Sequence, residues 1–146
     1  MSEQEDFNTT FFERAANMLR VHGVLSIIFG ALGVLSGAAM MLLFTMASYL
    51  PDAEVSSYED ELGIGFMLLS LMVFIFWTLP HLYFLISGVY LLKNPSPKLA
   101  KGLIIANLVV GVFYDLVIFI FAIISLTQMS DYERGYAAHQ KRVHKG

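Results

Sequence analysis

The chain has 146 residues, 57% of them apolar and only 14% charged, and its formal net charge is −3. Soluble domains are about 45–50% apolar and about 25% charged, and a short chain leaves much of its surface exposed, so the composition argues against a water-soluble globule and predicts a protein of the lipid bilayer. The acidic balance argues against nucleic acid as a partner, and the lack of cysteine excludes disulfides, thiolate metal sites and cysteine nucleophiles.

Residues 1–20 form a polar N-terminal region. Asn8, Thr9 and Thr10 are suited to capping a helix, and the apolar side chains between Phe11 and Leu19 fall on one side of it. This pattern predicts a short interfacial amphipathic helix, and an extension of the first span fits it equally well. No cleavable signal peptide is apparent, so the first span is expected to be an uncleaved anchor.

The first uncharged stretch runs from Val21 to Leu50, and Pro51 ends it. It exceeds the roughly 18 apolar residues that predict a transmembrane helix. Residues 52–61 then hold five carboxylates and no basic residue. We expect a solvated acidic loop there, with weak cation binding as the alternative, because the calcium-loop pattern is absent.

The second uncharged stretch, residues 62–92, contains Pro80. A proline inside a helix removes a hydrogen bond, which predicts a kink or break near Trp77 and Thr78. Two short spans turning at residues 78–81 are the alternative. Those halves would have only about 15 and 12 residues, below the roughly 17 that a span requires, so one kinked span is favoured.

A basic turn at residues 93–98 leads into the last apolar segment, Gly102 to Gln128, which only Asp115 interrupts. The predicted fold is an all-α membrane bundle of three long transmembrane helices, with four as the alternative. Its regions are the N-terminus (1–20), the transmembrane bundle (21–128) and a polar C-terminal tail (129–146). The basic turn predicts a multi-pass protein of the cell membrane with a cytoplasmic N-terminus, whereas the basic tail opposes this orientation if there are three spans.

Small residues at helical spacing mark faces where helices pack closely in lipid. The first span carries Gly30, Gly33 and Gly37 on one face, and the last span carries a second small or polar stripe that includes Gly111. Packing within the bundle is the favoured interpretation. A seam between copies in a homo-oligomer is the alternative.

Asp115 is the most informative residue, because a carboxylate halfway along a span needs a partner or a proton. An antiparallel turn centred near Lys98 would place His81 at the same depth in the membrane as Asp115. The sequence therefore predicts a buried His81–Asp115 pair. The pair is either a proton- or ion-linked site or, the favoured interpretation, a polar cluster that fixes helix register. Three residues are predicted to support it: Asn107, Tyr114 and Thr78.

No other motif predicts chemistry. His22 is interpreted as an interfacial residue at the mouth of the first span, and the spacing of the four histidines does not fit a zinc site. Gly63 and Gly65 lack the strand and the lysine of a phosphate loop. We therefore expect no metal, no cofactor and no catalytic residue.

Three pieces of sequence carry a loose resemblance over residues 20–128: the glycine-containing opening at 21–30, Leu79-Pro80 followed by residues 86–93, and the basic turn into residues 100–102. With these the chain resembles small multi-span bacterial membrane proteins of unassigned function. The resemblance implies membrane residence and no known chemistry. Many of these proteins carry a proline–glycine break in the last segment, which this chain lacks.

The functional prediction is a structural or accessory membrane protein that acts through helix–helix association. A small transporter or channel subunit using His81 and Asp115 is the alternative. An intramembrane enzyme is not expected, because no nucleophile accompanies the two residues. The expected partners are the lipid bilayer and other membrane proteins, or further copies of the chain.

Overall fold

The computed structural model describes residues 3–47 and 59–143, and all regular structure in those ranges is helical, which confirms the all-α prediction. The elements are α1 (Glu3–Ala47), α2 (Glu59–Val73), a π-helical segment (Phe74–Thr78), α3 (Leu79–Leu92), α4 (Pro97–Tyr114), α5 (Leu116–Thr127) and α6 (Met129–Val143). Most of the predicted acidic loop lies outside the described residues, and α2 already begins at Glu59.

Three helical stretches are long and apolar enough to cross a membrane: Thr10–Ala47, Ile64–Leu92 and Pro97–Tyr114. A fourth candidate arises if α5 and α6, which bend by 60° where they meet, count as one broken span. Large apolar side chains such as Leu35 and Met67 are 67% and 76% exposed. Such surface is unfavourable in water and suits contact with acyl chains, so the helices are those of a membrane protein.

The N-terminal region is the beginning of α1, so the prediction of a separate interfacial helix is wrong and its alternative, an extended first span, is adopted. Phe12, Ala15, Ala16 and Leu19 are buried on one face of this continuous helix. They pack in one cluster with buried residues of other helices.

The second stretch remains a single helical span, and its irregularity lies directly before Pro80. The helix widens to π geometry over Phe74–Thr78, and the N–H of Leu79 bonds the carbonyl of Phe74, five residues back. A π turn changes the hydrogen-bond ladder next to the residue that lacks an N–H. The alternative of two short spans is not adopted, because Ile64–Leu92 stays helical throughout.

The prediction of a continuous last span from Gly102 to Gln128 is wrong. The helix ends at Tyr114, and Asp115 is extended, with φ −154° and ψ 102°. Its carboxylate Oδ1 accepts hydrogen bonds from the N–H groups of Val117 and Ile118, at 2.9 and 3.1 Å, and so caps α5. The two helices then pack against each other as a helical hairpin.

The described helices form two compact units. The first comprises residues up to 28 and from 84 onward, and the second comprises residues 29–83. The core of the first unit is apolar and draws on α1, α3, α4, α5 and α6; its buried members are Phe12, Ala15, Ala16, Leu19, Leu91, Ala100, Ile104, Ala122, Met129 and Tyr132.

Residues 129–143, predicted to be part of a polar tail, form α6, whose apolar side joins the first unit. The Tyr132 hydroxyl donates a hydrogen bond to the carbonyl of Pro95 at 2.7 Å. Its ring stacks on Phe12, with centroids 5.2 Å apart. The start of α1, the basic turn and α6 therefore meet at one end of this unit.

Candidate functional site

A buried polar network inside the first unit is the candidate site. Nδ1 of His22 on α1 lies 3.0 Å from Oγ of Ser125 on α5, and its Nε2 lies 3.1 Å from Nδ2 of Asn107 on α4. Ser87 on α3 donates to Oδ1 of Asn107 at 3.0 Å. Each of these four side chains is at most 1% exposed. Four helices thus contribute one polar residue each to one chain of hydrogen bonds.

The chemistry of the groups sets the direction of these bonds. An amide nitrogen only donates, so Nε2 of His22 accepts from Asn107. A neutral imidazole carries one hydrogen, which is then on Nδ1 and is donated to Ser125. A buried polar group left without a partner would destabilise the fold by about 1–3 kcal/mol. The network therefore stabilises one register of the four helices.

A close helix crossing brings Ser87 to the network. A Cβ on Gly23 would lie 2.9 Å from the carbonyl oxygen of Gly88, and a Cβ on Gly88 would lie 2.5 Å from that of Gly23. Only glycine permits this approach of α1 to α3, because other residues would force the backbones apart. His22 and Ser87 each precede one of these glycines in the sequence.

The hairpin at Asp115 brings the other two residues of the network together. Asn107 precedes the turn and Ser125 follows it, so folding back at Asp115 returns α5 along α4. Near the turn, a Cβ on Gly111 would lie 2.9 Å from the backbone nitrogen of Phe119, which shows how closely the two helices pack. Gly111 is buried at this contact.

Ser26 adds a further polar group on the His22 face of α1, one helical turn away. It is fully buried, and its hydroxyl has no hydrogen-bond partner within the described ranges. The face of α1 that carries the network thus has two polar positions, one turn apart.

In the second unit, His81 is 5% exposed and holds a different set of contacts. Its Nδ1 donates to the carbonyl of Trp77 at 2.7 Å, since a carbonyl only accepts. The Trp77 indole N–H donates to Oγ of Ser36 on α1 at 2.9 Å. The bond between Trp77 and Ser36 therefore links the second span to α1, and His81 bonds the backbone of that tryptophan.

The predicted glycine face of α1 makes close contacts within the second unit. A Cβ on Gly33 would overlap the ring of His81, and one on Gly37 would overlap the Thr78 hydroxyl and approach Cδ1 of Trp77 to 3.1 Å. These glycines lie against His81, Thr78 and Trp77 of the second span, within the same chain. Gly30 is also buried.

Asp115 does not lie halfway along a continuous span, and this part of the sequence interpretation is wrong. It lies between two helices, is partly buried, and its Oδ1 bonds two backbone N–H groups. Helix N-termini favour negative charge and acceptor side chains, so the carboxylate has partners without a histidine. His81 belongs to the second unit and Asp115 to the first, and their pairing stays a prediction.

The residues predicted to support that pair are spread over both units. Asn107 hydrogen-bonds His22 and Ser87 in the first unit. Tyr114 is the last residue of α4. Thr78 is 7% exposed and packs on Gly37 in the second unit, and its Oγ1 has no hydrogen-bond partner among the residues described there.

The sequence interpretation missed His22, Ser87 and Ser125 as members of one site. It placed His22 at the membrane interface, because the residue follows Arg20 and precedes a long apolar run. One signal was available: Asp115 is an N-cap residue type followed by a strongly apolar helix. A fold-back at Asp115 would have placed Asn107 and Ser125 at similar depth.

The network offers hydrogen bonding and one titratable ring. No group of three or more His, Asp or Glu side chains suited to a metal occurs in residues 3–47 and 59–143. The candidate site is therefore a histidine whose two nitrogens are both engaged by neutral partners. No protein-family model, no curated protein and no solved structure matches the chain.

Proposed function

We propose that this chain is a structural or accessory protein of the membrane that acts by associating with other transmembrane helices, and that its partner is a second copy of itself. An apolar groove along α1 and α2 supports this proposal. The groove has a volume of about 440 Å³, and one serine is its only polar residue; the lining is Met41, Ile64, Met67, Leu68, Ser70, Leu71 and Phe74.

The hydroxyl of Ser70 favours a protein occupant over a lipid tail. Its oxygen is shielded and has no hydrogen-bond partner among the residues that the structure describes. A partner helix can offer one once the side chain turns toward the groove, whereas an acyl chain has no donor or acceptor. Small residues such as serine also let helices in membranes approach closely. Two copies related by a two-fold axis would bring the same groove and the same serine to both sides of one interface.

Single-cysteine crosslinking in proteoliposomes tests this interface, since the chain has no cysteine of its own. Met67→Cys places a thiol in the groove, and Phe113→Cys places one on α4. The two parent side chains are similarly exposed, Met67 at 76% and Phe113 at 79%. We expect a crosslinked dimer from the first variant and not from the second. Equal crosslinking of both variants, or none in either, would refute the groove as the interface.

We further propose that the protein lies in the cell membrane with its N-terminus in the cytoplasm. All nine Lys and Arg residues fall in three stretches of sequence, at positions 14–20, 93–101 and 134–145. The contacts of Phe12, Pro95 and Tyr132 bring the first turns of α1, the turn before α4 and the beginning of α6 to one end of the first unit. Basic residues accumulate on the cytoplasmic side of membrane proteins, which assigns this end to the cytoplasm.

A small transporter or channel subunit using His81 and Asp115 is the second candidate. Ionisable residues within apolar helices often mark ion or proton pathways, which favours it. The helix-capping bonds of Asp115 and the Trp77 bond of His81 give each residue a structural task, which favours the accessory role. Measuring proton flux in proteoliposomes decides between the transporter and the accessory role.

A further inference from the structure

The Ser87 hydroxyl lies within hydrogen-bond distance of two acceptors. Its Oγ lies 3.0 Å from the carbonyl oxygen of Phe84 and 3.0 Å from Oδ1 of Asn107. One hydroxyl hydrogen serves one of them at a time, and the oxygen keeps its capacity to accept. Ser87 can therefore face Asn107 either as a donor or as an acceptor.

We propose that His22 is a proton-binding site and that the side-chain amide of Asn107 rotates, exchanging the positions of its oxygen and nitrogen, when the ring becomes charged. With a neutral ring, the Asn107 nitrogen faces His22 and its oxygen faces Ser87. A proton taken up from the aqueous phase adds to the lone pair of Nε2, and no covalent bond in the protein breaks. The ring then has two donors, so the amide must present its oxygen to it.

Every polar group keeps a partner after the turn. Nε2–H donates to Oδ1 of Asn107, the amide nitrogen donates to Oγ of Ser87, and the Ser87 hydroxyl donates to the carbonyl of Phe84. Nδ1–H donates to Ser125 in both states. Charging the ring thus reverses two hydrogen bonds without leaving a buried group unpaired, and an unpaired group would otherwise oppose protonation.

The groups around the ring are dipoles and not counter-charges. The basic residue nearest to it on α1, Arg20, is exposed, as are Tyr90 on α3 and Lys101 on α4; α5 contains no titratable residue. The remaining titratable groups of α4 are Lys98, at its start, and Tyr114, at its end beside the α5 cap Asp115. The Asn107 oxygen is therefore the acceptor on which the charged ring depends, and this makes position 107 decisive for proton uptake.

Two substitutions at position 107 separate this proposal from a purely structural role. Asn107→Asp supplies only acceptors and so suits the charged ring. Asn107→Leu has a similar size and supplies neither donor nor acceptor. The full chain, labelled with ¹⁵N-histidine, is titrated in detergent micelles or bicelles, and His22→Gln identifies the His22 signals among those of the four histidines.

In the parent protein at neutral pH we expect a neutral His22 ring with its hydrogen on Nδ1. On acidification we expect Nε2 to gain a proton reversibly, while the near-UV circular dichroism spectrum remains that of the folded protein. Asn107→Asp should raise the pH at which half of His22 is protonated by about 1–3 units, the range for an opposite charge at contact distance. Asn107→Leu should lower it. Thr127→Ala, which removes an exposed hydroxyl on α5, should leave it unchanged.

Two results would overturn the proposal. In the first, His22 of the parent protein gains its proton only as the circular dichroism signal of the folded state disappears. In the second, the aspartate and leucine variants fold and titrate at the same pH as the parent. If one substitution prevents folding, the remaining variant and the parent titration still decide the question. None of these readouts depends on whether the chain dimerises.

Discussion

Gly23 of α1 and Gly88 of α3 pack so closely that the Cβ of any other residue at position 88 would lie 2.5 Å from the carbonyl oxygen of Gly23. It would also lie 2.8 Å from Cγ1 of Ile27. Neither obstacle is the flexible end of a long side chain, so the helices themselves must move apart. This crossing fixes where α3 presents Ser87 to the polar network.

We therefore expect Gly88→Ala to destabilise the protein by about 1–3 kcal/mol, the usual range for overpacking a close contact. Gly65→Ala is the matched control, because nothing lies within 4 Å of a Cβ at that position. The measurement is the free energy of unfolding in mixed micelles titrated with sodium dodecyl sulfate. Equal effects of the two substitutions would show that the crossing is not tight.

Asp115 provides a test of capping against intramembrane pairing. Asparagine caps helices about as well as aspartate, whereas alanine does not, so Asp115→Ala should destabilise the hairpin by about 0.5–2 kcal/mol and Asp115→Asn much less. Unfolding in mixed micelles measures the difference.

The same variants test transport. If His81 and Asp115 form a proton pathway, the parent protein should carry protons across proteoliposome membranes and Asp115→Asn should abolish that flux. Flux of this kind would contradict the purely accessory role. Absence of flux in the parent would remove the transporter from consideration.

Trp77 reports on the contact between α1 and the second span, because it is the only tryptophan in the chain. Ser36→Ala removes the acceptor of its indole N–H. We expect a loss of about 0.5–1.5 kcal/mol in stability, the usual net value of one hydrogen bond. We also expect a shift of the fluorescence emission to shorter wavelength, as the indole loses its polar partner. Thr127→Ala, which removes a hydroxyl bond elsewhere, should leave the emission unchanged.

The proposed orientation predicts the accessibility of single cysteines. Ala137→Cys lies on an exposed position of α6, and Ser57→Cys lies in the sequence between the first and second spans. In intact cells, a membrane-impermeant maleimide should label Ser57→Cys and should label Ala137→Cys only after the membrane is opened. The reverse pattern would place the basic end of the first unit outside the cytoplasm.

The spans and the irregular helix beside Pro80 were predictable because they depend on local rules. Backbone groups inside a bilayer must bond within their own helix, so a long run without charge implies a membrane helix. A proline alters the helix that contains it wherever that helix packs. Both rules apply to the stretch that contains Pro80, and the fold there agrees with them.

Asp115 and His22 were misplaced because their roles depend on residues distant in sequence. An aspartate within an apolar run is compatible with a buried charge and with a helix cap. The cap is realised here because α5 can fold back on α4, with Gly111 against Phe119. His22 is buried because Asn107 and Ser125 come to meet it, and that depends on the same turn.

The sequence alone determined that this is a helical membrane protein and that the regular helix is interrupted beside Pro80. Apolar composition and backbone hydrogen bonding act along the chain, so they can be read without knowing the fold. Only the tertiary structure decided which polar side chains satisfy one another. Buried hydrogen bonds need partners within about 3 Å, and in the first unit it is the hairpin at Asp115 and the crossing of Gly23 with Gly88 that bring those partners together.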